Sequence, residues 1–309
     1  MPDAVPQAQF ERLARTPARL REIADRLGSG RVKRRANDGS FSFLEHVWHL
    51  ADLESEAYGV RIRRLRDEVK PLLPDFDGGA IATERRYIER ELAAGLAAFE
   101  TSRTENLTAL RGLTAVEWGR TGRQEGVGTV ALADIPRLMA EHDAAHEGEI
   151  QVLRSEIWRD ALAETPAKLS LLLREFSPAA LRAPPIETPP EAEALSAIGH
   201  AQHLVDIELE GYQVRIRRLR REAGPVLASL DGLRMAAERR YEDADPEVAL
   251  EEFAQARALT VARLAEVRPG EWSRAGTFEG YGPVSLLGMV EIIEAHDRAH
   301  LRALDSLPR

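Results

Sequence analysis

The chain has 309 residues, of which 44% are hydrophobic and 6% aromatic, and its formal net charge is −9. That charge argues against DNA or RNA as the main partner, because a nucleic-acid binder needs a large cationic surface. The absence of cysteine removes disulfides, zinc–thiolate sites and thiol nucleophiles from consideration.

The length allows two domains, and a composition rich in alanine, leucine, glutamate and arginine favours helices. The opening Met-Pro-Asp-Ala-Val-Pro-Gln has neither a basic nor an apolar signal segment. No later stretch approaches the ~20 apolar residues of a membrane span. The expectation is a soluble, cytoplasmic protein with no membrane partner. Basic runs at Arg31 to Arg35, Arg61 to Arg66 and Arg215 to Arg221 are closely followed by acidic residues; they read as solvated helix faces.

In chain order, the pair Thr16-Pro17 reads as N-cap and first helical residue of an opening helix. A second helix is expected from about Ser42 to Val69, then a short one containing Glu84-Arg85-Arg86-Tyr87, then a third long helix near Glu91 to Leu113. A loop bearing Gly122, Gly126 and Gly128 leads to a fourth, near Thr129 to Glu156. Pro136 lies in that fourth helix and is expected to kink it.

The pattern then begins again. VRIRRLR at Val60 to Arg66 returns at Val214 to Arg220, ERRY at Glu84 returns at Glu238, and Glu117-Trp118 returns as Glu271-Trp272, each 154 residues later. Upstream the register changes: Thr16-Pro17-Ala18 matches Thr165-Pro166-Ala167 at an offset of 149. The second copy therefore carries a five-residue insertion, placed in the proline-rich stretch Ser177 to Glu193. The boundary between copies is expected near Arg159, giving domains 1–158 and 159–309. Four long helices with apolar spacings of three and four give an all-α fold of two tandem four-helix bundles.

All eight histidines fall in the repeat: His46, His49, His142 and His146, then His200, His203, His296 and His300. Only roughly four in ten aligned positions match between the copies, so retention of all four is more than a trace of duplication. Spacings of three and four put each pair on one helical face, and a bundle can turn two such faces towards each other. Neutral imidazoles so arranged suit zinc, nickel, copper or iron. The alternative, buried histidines satisfied by hydrogen bonds, explains one histidine more easily than two converging pairs in duplicate. The stretch His142-Asp143-Ala144-Ala145-His146 differs from a zincin motif in having the shorter aspartate where that motif needs a glutamate base.

With His49-Leu50-Ala51-Asp52 in the second helix, H-x-x-x-H in the fourth and the E-W and glycine-loop segment between, the sequence resembles the DinB/YfiT-like superfamily over both copies. The resemblance implies four-helix bundles in which three histidines hold one divalent ion, zinc or nickel, with coordination positions left open. Carried over, the metal ligands are His49, His142 and His146, and His203, His296 and His300, with two ions per chain. It also implies an intramolecular pseudo-dimer, since family members commonly form homodimers. Characterised relatives include bacillithiol transferases and mycothiol-dependent isomerases, so a low-molecular-weight thiol enters as a possible co-substrate.

His46 and His200 lie outside that ligand pattern and could orient a ligand, shuttle protons or close the shell as fourth ligands. Asp52 and Asp206 could orient a ligand or cap the bundle interior. Tyr58, Tyr212, Trp118 and Trp272 read as core residues. The expected function is a metal-dependent hydrolase or thiol transferase acting on a small molecule. The competing expectation is a non-catalytic metal-binding or stress-response protein with a structural ion.

Overall fold

Ser42 begins the element on which each bundle is built. In the computed structural model, which describes residues 7–185 and 194–309, the Ser42 side chain caps Glu45 N–H and the Glu45 carboxylate returns to Ser42 N–H. This capping box satisfies two donors that a helix start otherwise leaves bare. The helix that follows runs over 43–67 in three joined parts: α-helix Phe43–Asp52, a π-helical turn Leu53–Tyr58, and α-helix Gly59–Asp67. The second copy repeats this with Ala197–Asp206, a π-turn Ile207–Tyr212 and Gln213–Arg221.

The chain divides into two compact units, Met1–Arg154 and Ser155–Arg309. In the first, the long helices are Gln7–Leu27, the helix over 43–67, Leu92–Arg111 and the helix that starts at Ile135. Leu13, Leu53, Ile62, Leu107, Ile135 and Met139 meet in its core. In the second unit Leu169, Ile198, Leu204, Phe253 and Leu304 do the same. The architecture is all-α, two tandem four-helix bundles. Among the described residues no helix is long and apolar enough to cross a membrane.

The structure alters three local expectations. Thr16-Pro17 and Thr165-Pro166 do not start helices; both lie inside them, in Gln7–Leu27 and in Ile135–Leu173. Both threonines are buried, and their hydroxyls donate to Asp143 at 2.8 Å and Asp297 at 2.9 Å. A tertiary hydrogen bond to a buried carboxylate has overridden the local capping signal. Pro136 does not kink the fourth helix, because that helix begins at Ile135 and proline is tolerated in a first turn, where its missing N–H has no partner to lose. The glycine segment is not a simple loop. It is a hairpin, Thr121–Gln124 against Gly128–Ala131, with Leu72–Leu73 added in parallel; Gly126 and Gly128 take the positive φ of its turn. Each bundle therefore carries a small three-stranded sheet. The proline-rich part of the inserted loop, residues 186–193, lies outside the described residues.

A buried ion network joins all four helices of each bundle. Arg103 pairs with both oxygens of Asp143 at 2.8 Å, reaches Glu54 Oε2 at 3.0 Å and donates to the Leu13 carbonyl at 3.0 Å. Asn106 donates to the Glu54 carboxylate at 3.0 Å, and Thr16 to Asp143. The second copy uses Arg257, Asp297, Glu208, Thr260 and Thr165 in the same places. Arg103 and Arg257 are each 1% exposed, so neither charge can fall back on water. Replacing one member of such a network leaves its partners charged and unpaired. Arg103→Ala should cost about 3–5 kcal/mol, read as loss of the first unit's transition in urea denaturation. Arg64→Ala, at the exposed Arg64–Glu68 pair, should leave that transition in place.

Candidate metal centre

The four histidines of each copy reach one another from two helices. His46 and His49 stand on the α-helical part just before the π-turn, and His142 and His146 on the helix that starts at Ile135. His49 Nε2 lies 3.4 Å from His142 Nε2, and one nitrogen each of His49, His142 and His146 falls within 4.8 Å of the others. The second copy is tighter. His296 Nε2 is 3.2 Å from His203 Nε2 and 3.1 Å from His300 Nε2.

His46 and His200 do not join these trios of nitrogens. His46 Nδ1 is 2.9 Å from His146 Nδ1, and His200 Nδ1 is 2.7 Å from His300 Nδ1. In the second copy His200 therefore meets His300 at the nitrogen opposite the one that faces His296; in the first, His46, His146 and Glu149 form a second convergent group beside the trio.

Three imidazole nitrogens brought to about one point fit a divalent ion. Bonds of about 2.0–2.1 Å to one ion set tetrahedral nitrogen–nitrogen edges of about 3.3 Å, close to the three distances just given. His142 Nδ1 is buried with no hydrogen-bond partner among the described residues, which costs the ring free energy whether its Nε2 meets another imidazole or an ion.

Burial also keeps the rings neutral, the state a ligand needs. Desolvation, reinforced by neighbouring imidazoles, lowers His142 and His146 to about 4. His49 falls to about 4 for the same reasons, against an upward pull from Asp52. Burial takes His200 and His296 to about 4 and His46 and His203 to about 3, and it holds His300 well below 6.5.

The carboxylates near these histidines in sequence make their bonds to other groups. Asp52 accepts hydrogen bonds from Arg85 and Tyr87, both at 2.6 Å, and Asp206 accepts from Arg239 at 2.7 Å and Tyr241 at 2.6 Å. These bonds explain why ERRY recurs: it ties the short third segment to the ligand-bearing helix. Asp143 belongs to the buried arginine network. Tyr58 donates to the Leu138 carbonyl at 3.1 Å, and burial pushes its hydroxyl well up. Tyr58, Tyr212 and Trp272 are buried, while Trp118 is half-buried against the first core.

Sequence reasoning missed two neighbours. Gly78 lies so close to His49 that a Cβ there would meet its ring at 2.2 Å; the signal was available, because Asp77-Gly78 recurs as Asp231-Gly232. Glu149 Oε2 lies 3.1 Å from His146 Nδ1, but position 303 in the second copy is alanine. The repeat, used only to find what is shared, hides such a difference.

A family model described as the DinB superfamily matches residues 12–150 and again 161–304. The chain belongs to the DinB superfamily. Among solved structures it is similar to one described as "YfiT from Bacillus subtilis is a probable metal-dependent hydrolase with an unusual four-helix bundle topology", with 18% identity and a TM-score of 0.46, over 51% of this chain and 92% of that one. No curated protein matches the chain.

The lowered histidine values in these DinB bundles bear on stability. Between about 6.5 and about 4 the unfolded chain takes up protons that the folded chain refuses, so stability falls as pH falls through that window. Each such histidine contributes up to about 1.4 kcal/mol per pH unit. The melting temperature of chelator-treated protein should drop steadily from pH 6.5 to 4.5; a flat profile would contradict this burial.

Proposed function

We propose that each DinB bundle holds one zinc or nickel ion, two per chain, and that the chain is a metal-dependent hydrolase or thiol S-transferase acting on a small molecule. The observation that carries this reading is the position of His200. His200 meets His300 at the nitrogen opposite the one that faces His296, which supports a shell of three protein ligands, the pattern of catalytic rather than structural sites. The non-catalytic alternative needs a closed four-histidine shell, which the Nδ1 contacts do not favour.

Bound in such a shell, a divalent ion supplies a Lewis acid that lowers the pKa of a water or thiol. The chain's own groups supply orientation. If His146 offers Nε2 as ligand, its proton resides on Nδ1, which has two acceptors within reach, His46 Nδ1 at 2.9 Å and the Glu149 carboxylate at 3.1 Å. Either bond fixes the His146 tautomer and sets that ring in place. Asp52 and Asp206 orient the histidine-bearing helix through ERRY, each by its Oδ2. A low-molecular-weight thiol is the co-substrate in the transferase form of this reading. The tandem bundles act as an intramolecular pair, and the protein works in the cytoplasm.

Metal analysis of purified protein, followed by ester-hydrolysis and thiol-transfer assays, tests the proposal. Two ions per chain and an activity lost on chelation are expected; metal-free active protein would overturn it. His142→Ala should remove one ion and leave the other. Within the second helix, His49→Ala should empty the first site, whereas His46→Ala should weaken it only about 10–100-fold. Equal loss from both would mean a four-histidine shell. Gly78→Ala should also weaken the first site, by pushing the His49 ring aside, while leaving the second site's affinity unchanged in the same titration.

A further inference from the structure

Away from the histidines, the second bundle contains a cavity of about 330 Å³ lined by Arg217, Arg220, Arg221 and Arg263 together with Glu266 and Glu271. In a chain of net charge −9, four guanidiniums on one small cavity are a local reversal of sign. Arg217 and Arg221 make no hydrogen bond or ion pair among the described residues, and both are exposed. The other two are held in place. Arg220 donates to the Arg263 carbonyl at 3.1 Å, Arg263 donates to Gln213 Oε1 at 3.2 Å, and Gln213 donates in turn to the Ala256 carbonyl at 2.9 Å. The two glutamates do not cancel the four charges: Glu266 is 4.0 Å from Arg220, and the Glu271 carboxylate accepts the Arg268 N–H at 3.0 Å.

The duplication supplies an internal comparison. Arg217 and Arg220 correspond to Arg63 and Arg66 in the first copy, but Arg221 corresponds to Asp67 and Arg263 to Ala109. There Arg66 is neutralised by Asp67 at 2.8 Å. The extra positive charge is thus peculiar to the second copy, and the fold shared by both copies does not require it.

We propose that this cavity is a binding site for a compact oligoanion, a small molecule bearing phosphate or several carboxylate groups. Planar guanidiniums offer paired donors that match both groups, and the volume is that of a small-molecule site. The site is separate from the metal centre. Arg217 follows His203 by fourteen residues on one helical run, about 20 Å at 1.5 Å per residue. It therefore does not depend on the metal reading.

Calorimetric titration of the full chain with inorganic pyrophosphate, and separately with citrate, tests the proposal. One site per chain is expected, with an affinity that falls as salt rises; the tighter probe distinguishes phosphate from carboxylate recognition. Arg221→Asp with Arg263→Ala, which installs the first copy's residues, should weaken binding at least tenfold with an unchanged melting profile. Arg217→Ala alone should weaken it less. Binding should persist in His296→Ala. Failure to bind either probe, unchanged affinity in the double variant, loss of binding in His296→Ala, or preference for an RNA oligonucleotide over both probes would each overturn the site.

Discussion

A guanidinium buried at 1% exposure has to find its counter-charges inside the protein, and in each bundle that requirement fixes where the helices meet. Arg103 on the third long helix needs Glu54 from the second, Asp143 from the fourth and the Leu13 carbonyl from the first. Any one helix sliding by a turn would strand a charge in a medium where an unpaired ion costs several kcal/mol. Apolar packing alone tolerates such slippage better, since one leucine can replace another in a core. The ion network thus acts as the register pin of the bundle. It adjoins the histidine cluster directly, because Asp143 is the residue next to His142.

The π-turn belongs to the same constraint. Its hydrogen bond runs from Gly59 N–H to the Glu54 carbonyl, and Asn106 donates to that carbonyl as well, at 2.8 Å. A π-turn inserts one residue into the helical phase. The helix can then present His46 and His49 to the fourth helix above the turn and bury Ile62 and Leu65 below it. The carboxylate between them, Glu54, is turned into the arginine network. Burial, with a smaller push from the Asp143 carboxylate, raises that carboxyl against the pull of Arg103.

The helical class, the duplication and the histidine clusters were legible in the sequence because each rests on spacing. Intervals of three and four place His46 with His49 and His142 with His146, and an offset of 154 lines up both sets. What spacing could not reveal was anything decided by contacts between distant segments. Thr16-Pro17 has the local form of a helix start, yet its hydroxyl is claimed by Asp143, 127 residues away. The glycine segment looked like a loop because its strands are four residues long, and the parallel partner Leu72–Leu73 is two. Arg103 and Glu54 were invisible for the opposite reason: in sequence they look like any charged residues on a helix face.

The alanine at position 303 gives the duplication a further meaning. A single-copy protein cannot alter the surroundings of its third histidine without risking its only centre. A chain with two copies can keep a carboxylate beside His146 and lose it beside His300. One chain then presents two histidine clusters in different surroundings, with a carboxylate beside His146 and an alanine at the matching position of the other. Divergence of this kind requires no new fold and no new ligand. It gives the two copies a difference that a homodimer, whose copies must change in step, has no means to reach.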